Sequence, residues 1–353
     1  MRIIVSALLI AWLVAGLGHA KELPTAAELI EATPFRDQDI QRILEGETVG
    51  TRIDPAPCGE VSVGLVCLMT EDRPALMDAI RSGTWVAPSP DLVDQGFIRP
   101  GHAREDLSRL HFGPGDWSEL RRYLKTRPGT ELNLSFQEIS RFRALKPTGI
   151  RDQDISLVAD RLREGLVARY LAYRSKGLEG IPGYARGGER VTEPADELRC
   201  SLEGTPAMKD FYPDLYQYLL DYPTTLPTGA AEHFFWGKLY IDDHLGVGLS
   251  HRVSTGDADS ALLAERAFYI SHTLNASQTF LAILPVVEGK LLFYVNRAWI
   301  DRVVGLGCPL KTLVARYLVL SEMRKIMANM KVCGSAATGA GHKSPSVPIV
   351  ETP

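Results

Sequence analysis

Five consecutive stretches near the end of the chain constrain its fold most: "HFFWGKLYI", "LGVGLSHRVST", "RAFYISHTL", "TFLAILPVVE" and "KLLFYVNRAW", running from His233 to Trp299. Each alternates apolar and polar residues and is rich in β-branched and aromatic side chains, the pattern of a half-buried strand. Short polar connections separate them, and "EGK" at 288–290 has the composition of a hairpin turn. Neighbouring strands joined this way pair antiparallel and must bury at least one face. The chain supplies a cover in "LKTLVARYLVLSEMRKIMANMK", residues 310–331, which reads as a long amphipathic helix.

Upstream, "ETVGTRI" and "EVSVGLVCLM" read as two strands turned at "DPAPCG", and "RPALMDAIRSG" as a helix ended by Gly83. "DQGFIRPG" reads as a short strand, "WSELRRYLK" and "QEISRFRAL" as helices, and "TELNLSF" as a strand between them. From Asp152 to about Lys176, Ile155, Val158, Leu162, Leu166, Tyr170 and Tyr173 form one helical stripe. "MKDFYPDLYQYLLDY" reads as a further helix, and the Gly- and Pro-rich "GLEGIPGYARGGERVTEP" as a long loop. "RDQDI" occurs at 36–40 and again at 151–155, but the sequences diverge immediately afterwards. The shared element is therefore the use of Asp at a helix start, where a carboxylate accepts free backbone N–H groups.

Strands and a helix, a helical middle, antiparallel strands and a final long helix resemble the element order of the START-like (SRPBCC) helix-grip superfamily. That resemblance implies an α+β fold in which a curved antiparallel sheet packs on the C-terminal helix, with an apolar cavity between them. Residues from about 117 to 222 are then a helical insertion within a single domain spanning 21–333, followed by a disordered tail over 334–353. In "DLYQYLLDYP", "EHFFWGKLYI", "GLSH", "SHTLNAS" and "LFYVNRAWID" the chain is also similar to a group of exported bacterial proteins with no assigned function.

Export is expected from the first twenty residues. Arg2 precedes an apolar run from Ile3 to Leu17, and Gly18 and Ala20 supply the small residues of a cleavage site after Ala20. No later stretch approaches the roughly 20 apolar residues of a membrane span. Loss of Arg2 takes the formal net charge from −4 to −5, and the remaining Lys and Arg form no basic block, so nucleic acid is not an expected partner. The mature protein is expected in the periplasm or secreted. Of five cysteines, Cys58, Cys67, Cys200, Cys308 and Cys333, none has C-x-x-C spacing, and the odd number leaves one thiol unpaired in a monomer. Their pairing stays open, with Cys67 read as a buried strand residue. Asp242, Asp243 and His244 in "IDDH" carry no metalloenzyme spacing, and no metal or cofactor is expected.

Period two places His251 with Leu245, Val247, Leu249 and Val253 on one strand face, and His272 with Phe268 and Ile270 on another. If the two strands pair, the histidines become near neighbours across them. Asn296 and Arg297 lie on opposite faces of the last strand, so one must accompany an apolar surface. A buried polar group costs a few kcal/mol unless hydrogen-bonded, and Ser271, Glu232 and Lys238 are candidate partners. Three readings follow. His251, His272, Asn296, Lys238 and Arg297 contact a hydrophobic or amphipathic small molecule in a START-like cavity. His251 or His272 acts there as a general acid–base. Or the polar residues form a satisfied core network in a non-catalytic envelope protein.

Overall fold

A computed structural model describes residues 23–301, apart from 32, 34, 36, 54–58, 70, 86–90 and 242, together with residue 324. The expected signal peptide, the helix over 310–331 and the tail over 334–353 lie outside the described residues; Arg324 alone among them is described, as helical.

All five C-terminal stretches are strands: β6 (Ala231–Ile241), β7 (His244–Gly256), β8 (Ala261–Ile270), β9 (Ala276–Val286) and β10 (Gly289–Trp299). They join β1 (Val49–Arg52), β2 (Glu60–Met69) and β3 (Leu92–Phe97) in one eight-stranded sheet, ordered β1-β2-β10-β9-β8-β7-β6-β3. Every pairing is antiparallel. The first long strand, β2, therefore lies beside the last, β10, in a register that sets Arg297 opposite Ser62 and Trp299 opposite Glu60. All ten residues of β2 are buried, which explains its near-continuous apolar run.

The fold is α+β, with helices on both sides of the sheet. On one face, α3 (Pro74–Arg81) packs Met77 and Ile80 against Leu65, Leu263, Ile283 and Leu292. The other face carries α1 (Ala26–Glu31) and α2 (Asp37–Leu44), together with the helical segment between β3 and β6. That segment comprises α4 (Ala103–Ser108), α5 (Trp117–Leu124), α6 (Phe136–Arg143), α7 (Arg151–Lys176), α8 (Pro194–Glu203), α9 (Pro206–Phe211) and α10 (Pro213–Asp221). The stripe on α7 is buried as its spacing predicts, with Val158, Tyr170 and Tyr173 fully so, against Phe234, Leu249 and Phe268 of the sheet.

Local chemistry sets the helix ends. Ser135 and Glu138 form a capping box before α6: the Glu138 N–H donates to Ser135 Oγ at 3.3 Å and the Ser135 N–H to Glu138 Oε2 at 2.7 Å. Asp154 of the second "RDQDI" accepts from the N–H groups of Thr148 at 2.6 Å and Gly149 at 3.1 Å, which precede the helix; it ties down the incoming chain, and the expected side-chain cap on the first turn is not formed. "MKDFYPDLYQYLLDY" is two helices rather than one. Pro213 disfavours helical backbone at Tyr212, which sits at φ −137° and ψ 60° between α9 and α10. "TELNLSF" is not a strand: it forms a bracket in which Asn133 donates its N–H to the Ser271 carbonyl and Leu134 accepts from Ala185 N–H. The expected long loop after α7 contains a small hairpin of β4 (Tyr184–Ala185) and β5 (Val191–Thr192). Cys67 is buried on β2 and disulfide-bonded, whereas Cys200 is free.

Candidate functional site

The sheet's helical face carries His251, Lys238 and Arg297, each engaged by the helical segment or a neighbouring strand. His251 is fully buried, with Phe234 stacked on its ring at 4.5 Å and Tyr222 at 4.6 Å. Its Nε2 lies 3.0 Å from Glu232 Oε1 and its Nδ1 2.9 Å from the Tyr173 hydroxyl. Arg266 Nη1 approaches the same hydroxyl at 3.4 Å and can only donate, so the Tyr173 proton points to Nδ1. Nε2 then carries the ring proton and donates to Glu232. Burial pulls the His251 pKa below its ordinary value, against the opposing pull of Glu232, so the ring is neutral at neutral pH. Burial would raise Glu232, but hydrogen bonds from His251 and from the Tyr218 hydroxyl at 2.6 Å hold its carboxyl below the usual range. With both nitrogens occupied, His251 fixes the packing of α7 and α10 on the sheet.

Lys238 Nζ donates to Asp116 Oδ2 at 2.8 Å and to the His111 carbonyl at 3.0 Å, tying β6 to the loop before α5. Arg297 and Glu60 form a fully buried bidentate pair, Nε to Oε1 and Nη2 to Oε2 both at 2.8 Å. Arg297 Nη1 donates at 2.8 Å to the Gly204 carbonyl, at the end of α8.

His272 is not on a strand, and it is not a neighbour of His251. Across β7, His251 faces Arg266. Strand β8 ends at Ile270, because Ser271 and Asn133 capture the backbone there. The Val247 N–H donates to Ser271 Oγ at 3.0 Å, and Asn133 Nδ2 donates to the Ile270 and Leu274 carbonyls, both at 2.8 Å. The chain then bends, with Thr273 at φ 65°, and sets His272 over Gly246. Gly246 and His251 are five residues apart, about 17 Å at a strand rise of about 3.3 Å per residue. His272 Nδ1 contacts Thr273 Oγ1 at 3.1 Å, and its Nε2 is buried without a hydrogen-bond partner. Burial, with Arg122 nearby, lowers its pKa.

Asn296 points to the opposite face of the sheet, where Nδ2 donates to Ser277 Oγ at 3.1 Å and Thr279 Oγ1 at 2.9 Å. Those two residues line a cavity of about 310 Å³ that also meets Trp85, Arg252 and Glu265.

A larger cavity, about 400 Å³, opens on the helical face. Leu262, Phe280, Phe293 and Val295 of the sheet form one wall, and Met208 and Phe211 of α9 another. It therefore lies beside Phe293 and Val295 on β10, but none of the five predicted contact residues is among its described lining. Sequence patterning missed the lining on α9 because Met208 and Phe211 read simply as helix core. The signals that mark them are Gly204, where α8 stops, and the Tyr212-Pro213 break.

A second polar cluster also escaped the sequence. Arg186 binds Asp301 Oδ2 at 2.6 Å, Asn133 Oδ1 at 2.9 Å and Asn275 Oδ1 at 3.0 Å. Asn275 Nδ2 donates to both Glu197 Oε1 and Asp301 Oδ1 at 2.9 Å. Burial pushes the Glu197 carboxyl up to about 8, and its Oε2 is buried without a partner. Among the described residues no group of three or more His, Cys, Asp or Glu side chains could hold a metal ion, and no helix is long and apolar enough to cross a membrane.

Compared with protein-family models, curated proteins and solved structures, the chain matches none.

Proposed function

We propose that the protein binds a hydrophobic or amphipathic small molecule in the 400 Å³ cavity between α9 and strands β8 to β10. The single observation that carries this reading is the cavity itself. Its size falls within the range of small-molecule sites, roughly 300–1,000 Å³, and its lining is apolar on nearly every side. An apolar ligand seated here takes the lining out of contact with water, a gain of about 25 cal/mol per Å² of apolar surface covered.

The START-like reading draws support from the sheet order, which brings β2 beside β10 and leaves β3 at the far edge. The apolar run from Ile3 to Leu17 followed by Gly18 and Ala20 supports export, to the periplasm or outside the cell. A role in holding or carrying a poorly soluble molecule there fits an apolar cavity.

The test is organic extraction of protein purified from its own host, followed by mass spectrometry. A stoichiometric apolar compound is expected from the wild type and not from Ala282→Phe, which fills the cavity. Equal amounts from both proteins would refute the assignment of the site.

A further inference from the structure

We infer that the ligand of this cavity carries an uncharged or cationic head, and that free fatty acids and other anionic amphiphiles bind more weakly. The inference rests on the binding reading above. It arises from how the polar groups around the cavity are already engaged.

Thr33 donates its hydroxyl to the Ile30 carbonyl at 2.5 Å and Thr205 to the Ser201 carbonyl at 2.9 Å, so neither keeps a free donor for an anion. A buried cation, Arg297, lies directly behind Gly204 of the lining: a Cβ placed on Gly204 would lie 2.5 Å from Nη2. Glu60 neutralises that guanidinium through two bonds along one edge, and the Gly204 carbonyl takes a third contact from Nη1. Backbone thus separates the cation from the cavity, and a carboxylate facing it. Tyr212, whose phenol burial and Asp257 push up to about 12, stays neutral. Among the described lining residues the one acidic or basic side chain is Asp210, exposed at the rim on α9. An anionic head entering here leaves water, meets no cation among the described lining residues and approaches a carboxylate. A neutral head loses little, and an ammonium gains an attraction that salt screens.

The experiment compares three probes with the same twelve-carbon chain, dodecylamine, dodecanol and laurate. Each competes with Nile red on the full-length mature protein at submicellar concentration and low ionic strength. Dodecylamine is expected to bind tightest and laurate weakest, the extremes differing roughly three- to tenfold, as befits one exposed carboxylate. Asp210→Asn should shrink the gap between amine and alcohol to less than twofold, and 0.5 M salt should do the same in the wild type. Laurate equal to or better than dodecanol would overturn the inference while leaving the binding site standing. An undiminished gap between amine and alcohol in Asp210→Asn would also overturn it. Failure of all three probes and Nile red to bind would sink the binding reading itself, and this inference with it.

Discussion

Arg297 presses its guanidinium against the backbone of Gly204, so that the buried ion pair with Glu60 forms the layer beneath the apolar cavity. The position tolerates no side chain. A Cβ on Gly204 would meet Arg297 Nη2 at 2.5 Å and Cζ at 2.9 Å, and the guanidinium cannot swing away because Glu60 holds it by two bonds along one edge. Gly204→Ala should therefore destabilise the protein by about 1–3 kcal/mol, the usual cost of overpacking a fixed interior. Urea denaturation of the two proteins checks this.

The ion pair itself gives a second expectation. Removing one partner of a fully buried pair leaves an uncompensated charge, at a cost of about 3–5 kcal/mol, whereas replacing both by apolar groups can be nearly neutral. Arg297→Met should unfold at markedly lower denaturant concentration than wild type, and the double variant with Glu60→Leu should recover much of the loss. A double variant no more stable than Arg297→Met would show that Ser201 and Gly204, which also bind the pair, dominate its role.

His251 is predicted to be structural. Truncation to Ala leaves Glu232 and the Tyr173 hydroxyl short of a partner and opens space between Phe234 and Tyr222. A loss of about 3–5 kcal/mol is expected from cavity and unpaired polar groups together. Cavity binding measured below the lowered melting temperature should stay within about twofold of wild type, since His251 does not line the cavity; the fold-change expectation follows from the near-additivity of separated sites. Ten-fold weaker binding in a folded His251→Ala protein would reinstate the histidine as a ligand contact.

Glu197 makes stability depend on pH in a definite direction. Burial and the nearby Asp301 raise its folded-state pKa to about 8, above the ordinary carboxyl value of 4.5, so the folded protein holds a proton that the unfolded chain releases. Stability from this group is fully present below pH 4.5 and is lost as the pH rises through about 8. Glu197→Gln mimics the protonated side chain. It should match wild type near pH 5 and exceed it at pH 9 by an amount on the order of 1–3 kcal/mol. Parallel melting curves for the two proteins across that interval would contradict the assignment.

Much of the sheet was legible because period-two patterning reports a local cause: each strand must turn one set of side chains inward. The placement of His251 followed from it, and Glu232 was among its foreseeable partners. His272 was misplaced because the same alternation runs on past Ile270, while the strand is ended by Asn133, more than 130 residues away. Lys238 and Arg297 sit on the inward face, but whether an inward cation meets a ligand or a carboxylate depends on Asp116 and Glu60, whose proximity no local pattern encodes. The helical break at Tyr212 was readable from Pro213 alone. The cavity was not, because a void is a property of how α9 and β10 approach, and its Phe and Leu residues look like any other core.

The central claim is tested most directly by titrating the protein with dodecanol, using displacement of Nile red as the signal, and comparing it with Ala282→Phe. The account predicts saturable binding at one site per chain in the wild type and at least tenfold weaker binding in the variant, whose added ring occupies the cavity wall between Phe280 and Leu284. Circular dichroism should show the variant folded. Equal affinity in the two folded proteins, or no saturable binding to the wild type, would contradict it.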